Sequence, residues 1–191
     1  MLSVIIATDE SERTLVPTLA ALVPGATAGA VREVIVADKG SGDETAQVAD
    51  VAGCRLLVSA APLAVRLQNA AAEARAAWLM FLRPGTVPDG TWVAEVMRFV
   101  EARDLSGQAG ARAAVFSPIP STARPTHAAL ELVRATFGRP RPEQGLIVAK
   151  SLYASLGGHR DGVANCEADL LRRIGRRRIV LLRSQIIDFG N

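Results

Sequence analysis

The chain has 191 residues, 49% hydrophobic and 21% charged, with a formal net charge of +3. That length suits one domain with its own core, and the balance excludes a disordered chain. No apolar run is long enough to span a bilayer, and Met1–Ala7 lacks the basic start and cleavage-type end of a signal peptide, so a cytoplasmic protein is expected.

Leu2–Ala7 is apolar and rich in β-branched residues and reads as a buried parallel strand. Ser11–Leu22 has helical spacing, with Leu15, Leu19 and Leu22 on one face, Ser11 or Asp9 as the N-cap, and Pro24 as the stop. Glu33–Asp38 is a second buried strand, followed by the Lys39-Gly40-Ser41-Gly42-Asp43 loop and a short helix to about Ala52. Arg55–Ser59 reads as a strand, Val65–Ala76 as a helix, and Trp78–Leu82 as a strand closed by Arg83-Pro84-Gly85. Strand alternating with helix predicts an α/β fold, a mostly parallel central sheet with right-handed crossovers and helices on both faces. Ligands of such sheets bind beyond the carboxyl ends of the strands, here Thr8–Glu10, Asp38–Asp43 and Arg83–Thr86.

Further on, Thr91–Ala102 reads as a helix, Ala113–Ser117 as a strand, and Pro118–Pro125 as irregular because of its three prolines. Thr126–Thr136 is an amphipathic helix, Gln144–Ala149 a strand, Ser151–Leu156 a short helix, Cys166–Ile174 a last helix and Ile179–Leu182 a final strand. With no repeat and no low-complexity linker, residues 1–191 read as one domain, with a regular half over 1–90 and a less regular half over 91–191. Cys54 and Cys166 form no CxxC, and His127 and His159 have no partner at metal-ligand spacing, so surface or loop roles are expected of both histidines.

Four strings then carry a resemblance. SVIIATDESERTL (Ser3–Leu15), EVIVADKGSGDET (Glu33–Thr45), the segment from Arg66 and Asn69 into WLMFL, and QGLIVAKSLYASLGG (Gln144–Gly158) stand in the order found in the family 2 glycosyltransferases. The chain resembles that family over most of its length. The resemblance implies a GT-A-like fold and sugar transfer, with inversion, from a nucleotide-diphosphate sugar to an acceptor that the sequence does not name. It places Thr8, Asp9 and Glu10 around the nucleoside, Asp38 on the base, and Arg66 and Asn69 near the nucleotide. Asp38 and Asp43 also have a plain reading as loop and helix-cap acceptors, the better one for Asp43. Lys39 stands where the family often has a second aspartate, which leaves base identity open.

The family's metal-binding DxD is missing: the fourth strand ends Phe81-Leu82-Arg83-Pro84-Gly85-Thr86, and Asp89 comes several residues late. A divalent metal, Mg²⁺ or Mn²⁺, is therefore doubtful, and no metal ligand is assigned. Arg83 either supplies positive charge to the diphosphate or is a solvent-facing strand end. In Asn165-Cys166-Glu167-Ala168-Asp169-Leu170, alignment with the family's acidic string puts Glu167 at the general base. Its alternative is a helix-dipole role. Arg172, Arg173, Arg176, Arg177, Arg178 and Arg183 suit a solvated helix end, or peripheral contact with the anionic inner face of a membrane where lipid-linked acceptors sit. Few aromatics and no recognition-helix or RNA-binding pattern argue against nucleic acid. Two readings follow: a transferase, or a catalytically degenerate nucleotide-sugar-binding or interaction module.

Overall fold

The computed structural model describes residues 1–105, 112–118 and 140–189. The calls for an irregular 118–125 segment beyond Pro118, the Thr126–Thr136 helix and a surface His127 lie outside the described residues. One eight-stranded sheet has the order β3-β2-β1-β4-β7-β6-β8-β5. Its strands are β1 (Leu2–Thr8), β2 (Val31–Asp38), β3 (Arg55–Val58), β4 (Trp78–Leu82), β5 (Thr86–Pro88), β6 (Ala113–Pro118), β7 (Leu146–Ala149) and β8 (Ile179–Asp188). The helices are α1 (Glu12–Thr27), α2 (Thr45–Val51), α3 (Leu63–Glu73), α4 (Trp92–Leu105), α5 (Lys150–Ser155) and α6 (Cys166–Ile174).

The four strands β3-β2-β1-β4 are parallel, whereas β4–β7, β7–β6 and β8–β5 are antiparallel and β6–β8 is parallel. The GT-A-like α/β expectation therefore holds, with a mixed sheet on the far side of β4. Right-handed crossovers put α1 and α2 on one face and α3, which runs back from β3 to β4, on the other. β4 lies in the middle of the sheet and all five of its residues are buried, which explains its unbroken apolar run. The edge strand β3 is four residues long and only partly buried, a short edge that offers little for another chain to pair with.

Strand β8 runs past the expected Leu182 to Asp188, and both ends of α1 differ from expectation. Helix α1 runs through Pro17 and Pro24 to Thr27. Its last turn is held by tertiary contact: the Trp92 indole N–H donates to the Ala21 carbonyl at 3.0 Å, and a Cβ on Gly25 would lie 2.5 Å from the same ring. Packing against Trp92 overrides the proline stop. Ser11 is the N-cap residue, but its hydroxyl bonds Asp9, and the Glu12 N–H is taken by the Asp43 carboxylate at 3.0 Å. The cap of α1 thus comes from the loop after β2. Asp43 also accepts from the Thr45 N–H at the start of α2, so its expected capping role is seen at two helices.

Candidate functional site

Strand order reverses between β1 and β4: the chain first builds leftward to β3, then returns to β4 on the other side of β1. The carboxyl ends of β1 and β4 lie at that point, where open α/β sheets form their crevice. A cleft of about 780 Å³ lies there, lined by Thr8, Asp9, Glu10, Lys39, Arg66, Arg83 and Glu167 among others. A smaller cavity of about 220 Å³ adjoins it and shares Arg83 and Glu167, adding Arg160, Asp161 and Asn165.

The β1 and β2 ends are stitched to each other. Asp38 is buried and accepts four hydrogen bonds, from the Thr8 and Ser41 hydroxyls at 2.7 and 2.6 Å and from the Gly40 and Ser41 N–H groups at 2.8 and 2.7 Å. Burial alone would push this carboxyl up, but the Ser41, Thr8 and backbone donors outweigh it and hold it below the ordinary value. Its carboxylate is engaged by Thr8 of β1 and by its own loop, and it is absent from the cleft lining. Asp9 does line the cleft, paired with Lys39 at 2.7 Å with both side chains about half exposed. Glu10 takes a positive φ of 49°. Its N–H donates to the Ser41 hydroxyl at 2.9 Å and its carboxylate accepts from the Gly42 N–H at 2.7 Å, which together pin that unfavourable backbone conformation.

Arg66 projects from α3 beneath the same strand ends. It is 6% exposed and donates to the carbonyls of Thr8 at 2.8 Å and Ala37 at 2.5 Å, clamping β1 to β2. Desolvation pulls its pKa down, opposed by the charges of Asp9 and Asp38. Its Nε has no hydrogen-bond partner among the described residues, so a buried donor at the cleft wall remains unsatisfied. Asn69, three residues further along α3, is exposed and not among the cleft residues. It lies one turn on from Arg66, toward the solvent edge of α3, and the structure does not bring it into the cleft lining.

Arg83 lies where the DxD would be. Its turn is rigid: the Gly85 N–H donates to the Thr14 carbonyl and Thr18 hydroxyl at 2.8 and 2.9 Å, and the Thr86 hydroxyl donates to the Arg83 carbonyl at 2.6 Å. Its Nε and one terminal nitrogen donate to Glu167, and the other terminal nitrogen donates to Glu143 at 2.8 Å. Glu167 belongs to the first turn of α6, which is capped by the Asn165 side chain accepting from Ala168 N–H at 2.8 Å. The expected base and the expected diphosphate-binding cation thus meet across the cleft. Glu143, not anticipated from sequence, sits on a 3-10 turn (Pro142–Gln144) that Gln144 ties to Phe116 and Arg141. Gly145 lets this turn approach β4: it has a φ of 65°, and a Cβ would lie 2.9 Å from Leu82.

Other expectations resolve into structural roles. Asp89 accepts from Thr91 and from the Gln185 N–H and does not line the cleft. Asp169 holds Arg172 and Arg173, and Arg173 also donates to the Leu156 and Gly158 carbonyls at 2.6 Å each. Arg173 therefore ties the start of the loop after α5 to α6, while Arg172 meets only Asp169 among these partners. His159 is not at the surface: it is 1% exposed, packs on Phe81, and its Nδ1 lies 2.9 Å from the Tyr153 hydroxyl. Burial and the nearby Arg173 charge lower its pKa to about 4, and burial raises that of Tyr153 to about 12. Cys166 is buried, with its thiol pKa raised first by burial, which fits a packed small side chain. No helix among the described residues is long and apolar enough to cross a membrane.

No family model matches the chain, and no curated protein matches it. Solved structures do match. Glucosyl-3-phosphoglycerate synthase from Mycobacterium tuberculosis, in complex with Mn²⁺, UDP-glucose and phosphoglyceric acid, superposes with a TM-score of 0.70 at 20% identity, covering 100% of this chain and 72% of that one. The same enzyme with Mg²⁺ and UDP gives the same TM-score, 0.70. Residues 1–349 of S. aureus TarS in complex with UDP give 0.67 at 15% identity, covering 96% of this chain and 59% of that one. The chain therefore shares the fold of these structures.

These neighbours overturn one expectation. The missing DxD made a divalent metal doubtful, yet the similar structures contain Mn²⁺ or Mg²⁺ together with UDP or UDP-glucose. The missing DxD is thus no ground for discounting a divalent metal. The side chains of this chain do not themselves form a ready cage: no three His, Cys, Asp or Glu residues gather among the described residues. The two carboxylates nearest the DxD position, Glu143 and Glu167, are both turned onto Arg83.

Proposed function

We propose that the chain is a glycosyltransferase of the GT-A, family 2 type, acting on a nucleoside-diphosphate sugar. The observation that carries this reading is the meeting of Arg83 and Glu167 in the switch-point cleft, a cation and a carboxylate brought together from β4 and α6. The nucleoside lies along the Thr8–Glu10 and Lys39 edge, with the Arg66 Nε as a spare donor, and the diphosphate reaches Arg83. Asp38 contributes by shaping the loop. Charge on the departing diphosphate is met by the guanidinium, whose fork suits phosphate oxygens. Glu167 takes the proton from the acceptor hydroxyl. The hydroxyl oxygen bonds to the anomeric carbon, the bond from that carbon to the diphosphate oxygen breaks, and its electron pair leaves on the diphosphate, with inversion. The acceptor enters beside Arg160, Asp161 and Asn165, and residues 1–90 and 91–191 serve as the donor and acceptor sides of one domain.

A binding module without turnover is favoured by a different observation: Asp9, Asp38 and Glu167 are all engaged within the protein. One experiment separates the two. Calorimetry with a panel of nucleoside diphosphates and their sugars, with Mn²⁺ present, is followed by assay of sugar release and transfer. Binding with turnover supports the transferase; binding without turnover over a broad acceptor panel supports the module; no binding rejects both.

A further inference from the structure

All three nitrogens of the Arg83 guanidinium donate to carboxylates, Nε and one terminal nitrogen to Glu167 and the other to Glu143. Both oxygens of Glu167 accept from that same group. A diphosphate seated as a fork on Arg83 competes with the carboxylates for its N–H groups, and an acceptor hydroxyl competes with the guanidinium for the Glu167 oxygens. Neither ligand can be fully engaged while the pair is closed. From this geometry, and resting on the transferase reading above, we infer that Arg83, Glu143 and Glu167 form a latch opened by the donor: the diphosphate displaces the carboxylates from Arg83, and only then is Glu167 free to take the acceptor's proton.

The pair is suited to exchange. The side chains of Arg83, Glu143 and Glu167 are 34%, 40% and 19% exposed, so water can assist separation, and the cost is far below that of opening a fully buried ion pair. The backbones stay fixed by the Gly85–Thr14 bond and the α6 cap, so opening requires side-chain rotation alone. Glu143 is a positioning residue in this scheme: it acts through Arg83 and helps hold the latch shut. The order of events follows from this competition, with donor bound before acceptor.

Glu167→Gln and Glu143→Gln remove the competing charges while keeping shape. Both should bind inorganic pyrophosphate and UDP more tightly than the parent, Glu167→Gln by roughly fivefold, the equivalent of about 1 kcal/mol. The gain should vanish when Arg83→Ala is added. A merely structural role would not tighten anion binding, and melting curves confirm that each variant is folded. Calorimetry with both ligands separates the claims. If UDP binds the parent but neither glutamine variant binds UDP or pyrophosphate more tightly, the latch is wrong and the donor reading stands. If pyrophosphate tightens in Glu167→Gln but UDP never binds, the latch stands and the nucleotide reading falls. Weaker binding in Glu167→Gln overturns the latch, because the carboxylate would then be helping to hold the ligand. No binding of either ligand to any variant removes both.

Discussion

The loops that follow β1 and β2 and the junction of Arg83 with Glu167 both line up charged groups at strand ends, but they use them differently. Around Asp38 the network is closed: a buried carboxylate receives four donors from Thr8, Gly40 and Ser41, and a ligand would have to break shape to take one. At Arg83 the partners are partly exposed and come from separate elements, β4, the Pro142–Gln144 turn and α6. A charge fully satisfied within one loop holds a shape, whereas charges paired across a cleft can exchange partners. The proposed function rests on that contrast, with Asp38 shaping a loop and Arg83 and Glu167 meeting across the cleft.

The largest effect should come from the exchangeable side. Glu167→Gln should lower sugar transfer by about 10²- to 10⁴-fold, the usual contribution of a general base, while the melting temperature stays near that of the parent. Turnover equal to the parent's would reassign Glu167 to the helix end. On the closed side, Asp38→Ala should cost stability, on the order of 4 kcal/mol, because the Thr8 and Ser41 hydroxyls and two loop N–H groups lose a charged acceptor. Urea titration measures it, and a change under 1 kcal/mol would show that the network is not structural.

Acid tests the wall behind the cleft. His159 has its pKa lowered from 6.5 to about 4, so between those values the unfolded chain binds a proton that the folded chain does not. Stability from this group is therefore complete above pH 6.5 and is lost as pH falls toward 4, by on the order of 3 kcal/mol. His159→Gln should flatten that part of the acid slope, and an unchanged slope in urea titrations at pH 7 and pH 4 would show that His159 is not the cause. The smallest effect belongs to the half-exposed Lys39–Asp9 pair: Lys39→Ala should change stability by less than about 1 kcal/mol. A larger loss would place that pair with the closed network.

How far the sequence showed this arrangement depends on the range of the interactions. The β1–β4 half was legible because buried parallel strands are continuous apolar runs, and α6 was legible at both ends because Asn165 and Gly175 cap it locally. Helix α1 was cut short because Trp92, far along the chain, sustains it past Pro24. β5 was missed: it has three residues and exists through pairing with β8. Arg83 and Glu167 each stand out singly in the sequence, but their contact spans 84 positions, and no local pattern announces it. Glu143 had no signal at all, since an acid beside a proline turn is ordinary until its partner is known. The bonds that engage Asp38 are equally silent in sequence, since its loop looks like any Gly-Ser turn and Thr8 lies 30 positions away.

The central claim is that Arg83 holds the diphosphate of a nucleotide donor. Calorimetry of UDP and of uridine against the parent and Arg83→Ala, with Mn²⁺ present, tests it most directly. UDP affinity should fall roughly tenfold to a hundredfold in the variant, the loss of a charge-assisted hydrogen-bonding group, while uridine affinity stays unchanged. Equal UDP affinity in the two proteins, or a parent that binds no nucleoside diphosphate, would contradict the account.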